Sequence, residues 1–331
     1  MENTKIEWCD HSWSPWRGCA KVSVGCAHCY AEGLANRFGD SWGGWGKGKP
    51  RVLAKNWGDP VKWNLTPWIC PVTGAMFERR DAALNRVRHI EPRRTTVFPS
   101  LCDWLDEEVP IKWLEKFIEL IHKTPNLNWL LLTKRPENFI PRLREVQKHC
   151  TVDPLDIVDR IDAWISGDRP HHNVWIGTSV EDQANADRRI PELLKIPARV
   201  RFLSVEPMLG PVNLDEWAFV DREIHPDGSE TLLKPIIDWV IVGGESGLKA
   251  RLCNVDWIRS IASQCAASGV PCFVKQLGAE IGFTAPGKIE NWDQWHINEG
   301  KWISKIEHPK AGDPSEWPED LRVRQFPEVK S

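Results

Sequence analysis

Tyrosine and methionine are almost missing from this chain, which has one Tyr and three Met among 331 residues. No apolar run reaches 18 residues, so no segment is suited to cross a bilayer as a helix. The first ten residues, MENTKIEWCD, have neither the basic stretch nor the apolar core of a secretory signal. Neither charge sign dominates: 43 Lys and Arg stand against 46 Asp and Glu, a net charge of −3. That excludes a general polyanion binder but leaves room for a local basic patch. Internal repeats, heptads and low-complexity linkers are also missing. These absences predict a soluble, cytoplasmic protein with no membrane partner, folded as one elaborated domain over residues 1–331. A hydrophobic content of 41% supplies a full core.

Tryptophan is abundant, with 20 residues, and eight of them precede residue 69. Large aromatics usually fill cores, though they also stack on bases or cofactors; packing is the expectation for most. Ten cysteines in a reducing compartment do not suggest a disulfide framework. Seven of them (Cys9, Cys70, Cys102, Cys150, Cys253, Cys265, Cys272) are scattered and read as small buried apolar residues. The other three, Cys19, Cys26 and Cys29, fall within WRGCAKVSVGCAHCYAE (16–32). A disulfide would strand one of them, whereas a metal centre could use all three. Zinc prefers four ligands, often in two close pairs. Here Cys-x2-Cys occurs once, and zinc would need His28, His11 or Cys9 to complete it. A [4Fe–4S] cluster on three thiolates, with one iron open to an exogenous ligand, is the competing reading.

Six short apolar runs punctuate the chain: TTVFPS (95–100), NWLLLTKRP (128–136), NVWIGTSVED (173–182), RVRFLSVEP (199–207), DWVIVGGESG (238–247) and PCFVKQLG (271–278). Such runs fit strands buried on both faces of a parallel sheet. Helical patterns alternate with them at 111–123, 183–195 and 256–269, the first with Trp113, Phe117, Leu120 and Ile121 on one face. Gly269 is placed to cap the last. The alternation predicts an α/β fold with right-handed crossovers. Polar residues follow nearly every strand: Asp103, Lys134, Arg135, Thr178, Ser179, Glu181, Glu206, Glu245, Lys275 and Gln276. In a (β/α) barrel these positions share one mouth, where active sites lie, so a partial or complete barrel is expected rather than an open sheet. Insertions are expected at 37–94 (where GDSWGGWGKGKP reads as loop), 151–172 (a short helix) and 218–236 (a hairpin around HPDGS), with an irregular tail over 279–331.

GCAHCYAE, early in a βα chain, resembles the radical S-adenosylmethionine (SAM) enzymes, whose usual motif is Cys-x3-Cys-x2-Cys. The chain as a whole is similar to the phage-associated three-cysteine-motif family of radical-SAM-like proteins. WSPWRGCAKVSVGCAHCYAE, LLLTKRPEN, WIGTSVEDQANADRRIPELL, RFLSVEPMLGPV, DWVIVGGESG, FVKQLG and WPEDLRVRQFP carry that resemblance. It departs from the usual motif in the six residues between Cys19 and Cys26, and in His28 before the last cysteine. The resemblance implies a barrel of the radical SAM type, with Cys19, Cys26 and Cys29 holding a [4Fe–4S] cluster whose fourth iron takes SAM. Reductive cleavage would then give a 5′-deoxyadenosyl radical that abstracts hydrogen from substrate. It also implies a protein partner encoded nearby.

Within that frame Gly243, Gly244 and Glu245 are the candidate cofactor loop, the glycines allowing close backbone approach; a tight βα turn is the plain alternative. Ser179, Glu181 and Glu206 are candidates at the same mouth, the first two for ribose or amino group. Lys134 and Arg135 could hold a carboxylate or phosphate. For each of these singly, a salt bridge at the rim competes. ERRDAALNRVRHIEPRRTT (78–96) carries six arginines, suited to phosphate and base contacts. It makes a nucleic acid or nucleotide the expected substrate, against a solvated helix face. Two functions therefore stand: a radical SAM enzyme, or a non-catalytic zinc- or cluster-binding module that grips nucleic acid or a partner protein.

Overall fold

Each of the six apolar runs contains one strand of a single parallel sheet. The computed structural model describes residues 1–65, 77–81, 86–90, 95–150, 154–214, 222–224, 230–232, 237–247, 249–282, 295–298, 301–304 and 307–327. A two-residue strand, β1 (His11–Ser12), leads the sheet. It is followed by β2 (Thr95–Phe98), β3 (Leu127–Thr133), β4 (Val174–Ser179), β5 (Val200–Val205), β6 (Trp239–Gly243) and β7 (Cys272–Gln276). All neighbours are parallel and pair in chain order. An order that never reverses, joined by right-handed crossovers, places the connecting helices on one face. The other face must then be covered by curling. The outcome is a seven-stranded half-barrel surrounded by helices, not the doubly wound sheet, whose strand order reverses.

The helices are α1 (Tyr30–Phe38), α2 (Gly58–Leu65), α3 (Ile111–Lys123), α4 (Phe139–His149), α5 (Pro154–Ser166), α6 (Gln183–Leu194) and α7 (Val255–Ser268). α5 is the helix expected within 151–172. α7 stops at Gly269, which adopts a left-handed conformation. On α3 the buried face includes Leu114 and Ile118, and Trp113 moves to its half-buried edge. α4 has no counterpart among the sequence patterns. Its FIPRLREVQKH is polar, and its buried face is made by Phe139, Leu143 and Val146 together with Arg142.

Residues alternate strictly across the curled sheet. Trp129, Leu131, Val174, Ile176, Leu203, Val205, Val240 and Val242 face the helices. Leu130, Trp175, Phe202, Trp239, Ile241 and Phe273 face inward and meet Trp8 and Cys9 from the N-terminal segment. β1 and β7 do not pair, and chain ends close the gap. Residues 323–325 lie antiparallel to β7, with the Val274 and Gln325 N–H groups donating to Val323 and Cys272 carbonyls at 2.8 Å. That covers an edge that would otherwise be open to foreign strands. Phe326 packs on Trp239 and Phe273, with ring centroids 5.5 and 5.4 Å apart.

The insertions carry elements of their own. Region 37–94 includes α2, a strand Val52–Leu53 paired with Trp16–Arg17, and an antiparallel ribbon of Phe77–Asp81 with Arg86–Ile90. The arginine-bearing stretch 78–96 is therefore built largely on strands, which removes the solvated helix face. The side chains of Arg79, Arg80, Arg86 and Arg88, together with Arg93, Arg94 and Cys70, lie outside the described residues. The hairpin expected at 218–236 is present as Arg222–Ile224 against Glu230–Leu232. The tail has a ribbon of its own, Trp295–Asn298 with Lys301–Ser304. Among the described residues no helix is long and apolar enough to cross a membrane.

Candidate metal and cofactor site

The loop bearing Cys19, Cys26 and Cys29 follows β1 and lies against the C-terminal ends of β3, β4 and β6. All three thiols are free and half-buried. Three sets of strand-end residues hold the loop at successive points.

The first set grips Cys19. Asp103 is buried and accepts from Thr133 Oγ1 (2.7 Å), the Lys134 N–H (2.9 Å) and Arg135 NH1 (2.9 Å). Arg135, 3% exposed, donates through NH2 to the Ala20 carbonyl at 2.7 Å, and its NH1 lies 3.8 Å from Cys19 Sγ. Burial first, then the Asp103 charge, push the Cys19 thiol up to about 12, with Arg135 opposing. The guanidinium of Arg135 is thus shared between Asp103 and the loop.

Glu181 makes the second grip and is fully buried. It accepts from Ser23 Oγ at 2.9 Å and from the buried Arg189 NH1 at 2.6 Å, with Lys134 Nζ 3.6 Å away. Burial raises its pKa, yet Lys134 and Arg189 together leave it below the ordinary carboxylate range. Gly25 passes so close that a Cβ there would stand 2.4 Å from the Glu181 carboxylate. Cys26 Sγ lies 3.8 Å from Ser23 Oγ.

Glu245 makes the third. His28 Nδ1 lies 3.0 Å from Oε2, and Arg251 binds both carboxylate oxygens, through NE (2.9 Å) and NH2 (2.6 Å). Arg251 NH1 also donates to the Val24 carbonyl at 2.8 Å. The Glu245 carboxyl is held below its usual range, since hydrogen bonds from Arg251 and His28 outweigh its burial. Cys29 follows as the N-cap of α1.

Most polar groups of the candidate cofactor residues are committed to other groups of the chain: Arg135 to Asp103 and Ala20, Glu181 to Arg189 and Ser23, and Glu245 to Arg251 and His28. Gly243 and Gly244 pack closely on the chain's own backbone: a Cβ on Gly244 would stand 2.2 Å from the Leu277 carbonyl oxygen, on the turn after β7, so the turn itself accounts for the glycine. Ser179 accepts from Lys134 Nζ at 3.0 Å. Glu206 pairs closely with Lys275. Lys134, Lys275 and Glu206 keep partial exposure, at 23%, 21% and 15% of their side chains, as do Arg251 and His28.

Of the fourth ligands considered for zinc, Cys9 is buried in the inner core below the mouth, and His11 Nδ1 accepts from the Asn3 N–H at 3.0 Å. His28 alone is near the cysteine loop. Among the described residues no three His, Cys, Asp or Glu side chains converge to hold a single metal ion. Zinc needs its donors within about 2.0–2.3 Å of one point. A cluster instead spreads three thiolates over three irons.

Sequence reasoning missed Arg189, Arg251 and Ser23. Arg189 and Arg251 lie six or more residues past their strands, where an arginine reads as solvated surface. The model of a family described as a protein of unknown function (DUF5131) matches residues 3–305. The chain belongs to that family. No curated protein and no solved structure matches it. For this member of the DUF5131 family, the functional reading therefore rests on the site itself.

Proposed function

We propose that the chain is an iron–sulfur protein that binds a [4Fe–4S] cluster through Cys19, Cys26 and Cys29 and uses it with SAM for radical chemistry. The observation that supports this most is the placement of three free thiols on one loop, clamped over the polar mouth of a half-barrel. The donor set suits three thiolates better than a four-ligand zinc site, since two of the three candidate fourth ligands are engaged elsewhere. When bound, cluster and SAM together supply the one-electron cleavage of the sulfonium; the protein positions and shields them.

Arg135, Glu181, Glu245 and Arg251 fix the loop so that the three sulfurs keep their spacing. Lys134 and Lys275 are placed to take the carboxylate of an amino-acid group, and Glu206 its ammonium. Arg135 lies beside Cys19 and favours the thiolate over the thiol that burial would keep protonated, so metal loading releases a proton there. The apolar floor below excludes water from one side.

A second reading has its own support. The strand-end charges that suggested catalysis mostly hold the loop, as they would in a non-catalytic cluster module. Electron paramagnetic resonance on anaerobically reconstituted, reduced protein separates the two. A cluster signal that changes shape on adding SAM is expected. A signal indifferent to SAM leaves the module, and stoichiometric zinc without iron overturns the cluster.

A further inference from the structure

Among the described residues, nine tryptophans are deeply buried core residues. Trp8, Trp13, Trp16, Trp104, Trp129, Trp164, Trp175, Trp239 and Trp317 are at most 3% exposed and fill the cores on either side of the sheet. Trp42 and Trp45 do not belong to them. They sit half-buried on the surface loop after α1, beside Phe38, which is 54% exposed.

These three rings run in series. Phe38 and Trp42 are 6.2 Å apart with planes 29° from parallel; Trp42 and Trp45 are again 6.2 Å apart, at 30°. Two guanidinium groups lie over them, Arg37 at 5.5 Å from Phe38 and Arg17 at 5.1 Å from Trp42. Lys47 and Lys49 are exposed on the same loop. The loop is also fixed. Gly46 donates to the Cys19 carbonyl at 2.8 Å, and Trp45 pairs with Cys19 through a β-bridge. Arg51 donates to the Lys49 carbonyl at 2.7 Å while its own charge is held by Asp106 and Glu108. The aromatic series therefore runs directly up to the first cysteine.

The ring surface this row leaves in water, with Phe38 the most exposed of the three, costs hydration free energy unless something covers it. A row of near-parallel rings with cations over their faces suits a partner that is both flat-ringed and anionic. Single-stranded nucleic acid has both properties, and its bases are open to stacking, whereas a duplex hides them. We propose that Phe38, Trp42 and Trp45, with Arg17 and Arg37, form a stacking platform for single-stranded nucleic acid leading to the cysteine loop. This names the substrate class for the proposed function and rests on that reading for its purpose. Binding itself requires no cluster.

The test is fluorescence anisotropy with a labelled single strand of about 12 nucleotides, within the usual span of such sites. DNA and RNA strands of one sequence are compared, and the matching duplex is the control. Single strands are expected to bind more tightly than duplex, and less tightly as salt rises. Trp42→Ala and Trp45→Ala should each weaken binding about tenfold, as the loss of one base–ring stack does. Trp42→Phe should recover most of that loss, and Lys195→Ala, on the exposed end of α6, should change nothing. Circular dichroism confirms that each variant is folded.

No binding of either strand at low salt would overturn the proposal, as would duplex bound equally well or Trp42→Ala bound like wild type. A preference for RNA or for DNA supports it and names the source. The Cys26→Ala variant separates the two readings. Iron-free protein that still binds the strand through these rings supports the platform alone. Iron-loaded protein that ignores every oligonucleotide overturns the platform and leaves the cluster standing.

Discussion

The floor and the mouth of the half-barrel are built from the same strands, a few residues apart. On β4 the inward positions run from Trp175 to Ser179; β6 runs from Trp239 to Gly243, and the β3 line continues from Leu130 and Leu132 to Lys134. Below, aromatic rings meet edge to face: Trp239 lies 6.1 Å from Trp175, 6.2 Å from Trp8 and 6.3 Å from Phe273. Above, the buried pairs Asp103–Arg135 and Glu181–Arg189 are accompanied by buried Glu245 with the partly exposed Arg251. Apolar burial supplies net stability, while buried ion pairs about break even against their desolvation. The floor therefore holds the fold together, and the mouth fixes the geometry of one loop.

The most severe break in that division should come from the floor. Trp239→Ala removes a fully buried ring that touches aromatics from the N-terminal segment, β4, β5, β7 and the C-terminal tail. A loss of about 3–5 kcal/mol is expected, as for other large core truncations. Urea unfolding measures it. A change below about 1 kcal/mol would mean the inner cluster does not hold the sheet closed.

A smaller effect, set by pH, should arise on the outer side. His171 stands edge-on to Trp164 at 4.6 Å, and burial, with His122, His172 and Arg160 adding repulsion, pushes its pKa down to about 4. The folded protein then binds fewer protons than the unfolded chain between the unfolded value near 6.5 and 4. Its contribution is complete above pH 6.5 and is lost as pH falls toward 4. Glu181 and Glu245 share that sign, with folded values below the ordinary carboxylate range, although there it is the charged form that the fold favours. Their contribution is complete above that range and is lost only in more acidic solution. Between pH 7 and 5 the protein should lose about 2 kcal/mol through His171 alone. Unfolding curves of His171→Gln at the two pH values should show most of that difference gone. An unchanged slope would assign it elsewhere.

The same contrast governs what could be read in the sequence. The strands were legible because a two-sided buried strand is an unbroken apolar run, and TTVF, NWLLLT and VWIGTS carry no competing pattern. The mouth was legible in outline, because Glu181, Glu206 and Glu245 follow their strands directly. What those groups do was not legible. The partners of Glu181 and Glu245, Arg189 and Arg251, are set by crossover geometry that no spacing reveals. α4 was hidden by its polar composition, and the Phe38–Trp42–Trp45 series by glycines that make its segment look like plain loop.

The smallest effect on stability should accompany the largest effect on the site. Gly25→Ala places a methyl where Glu181 already stands, 2.4 Å away. Glu181 cannot yield, because Arg189 and Ser23 hold both its oxygens and it is fully buried. The loop is the softer partner, since Val24 is 59% exposed and Cys26 and Cys29 half-buried. It should therefore lift, at a cost of about 1 kcal/mol, the low end for added volume in a packed site. Lifting separates Cys26 from Cys19, which Arg135 and Gly46 keep in place. The variant should unfold nearly like wild type yet retain only a minor fraction of its iron after reconstitution, a pairing that Trp239→Ala cannot produce. Full iron with a stability loss of several kcal/mol would show that the cysteine loop supports the fold, and that floor and mouth are not separate after all.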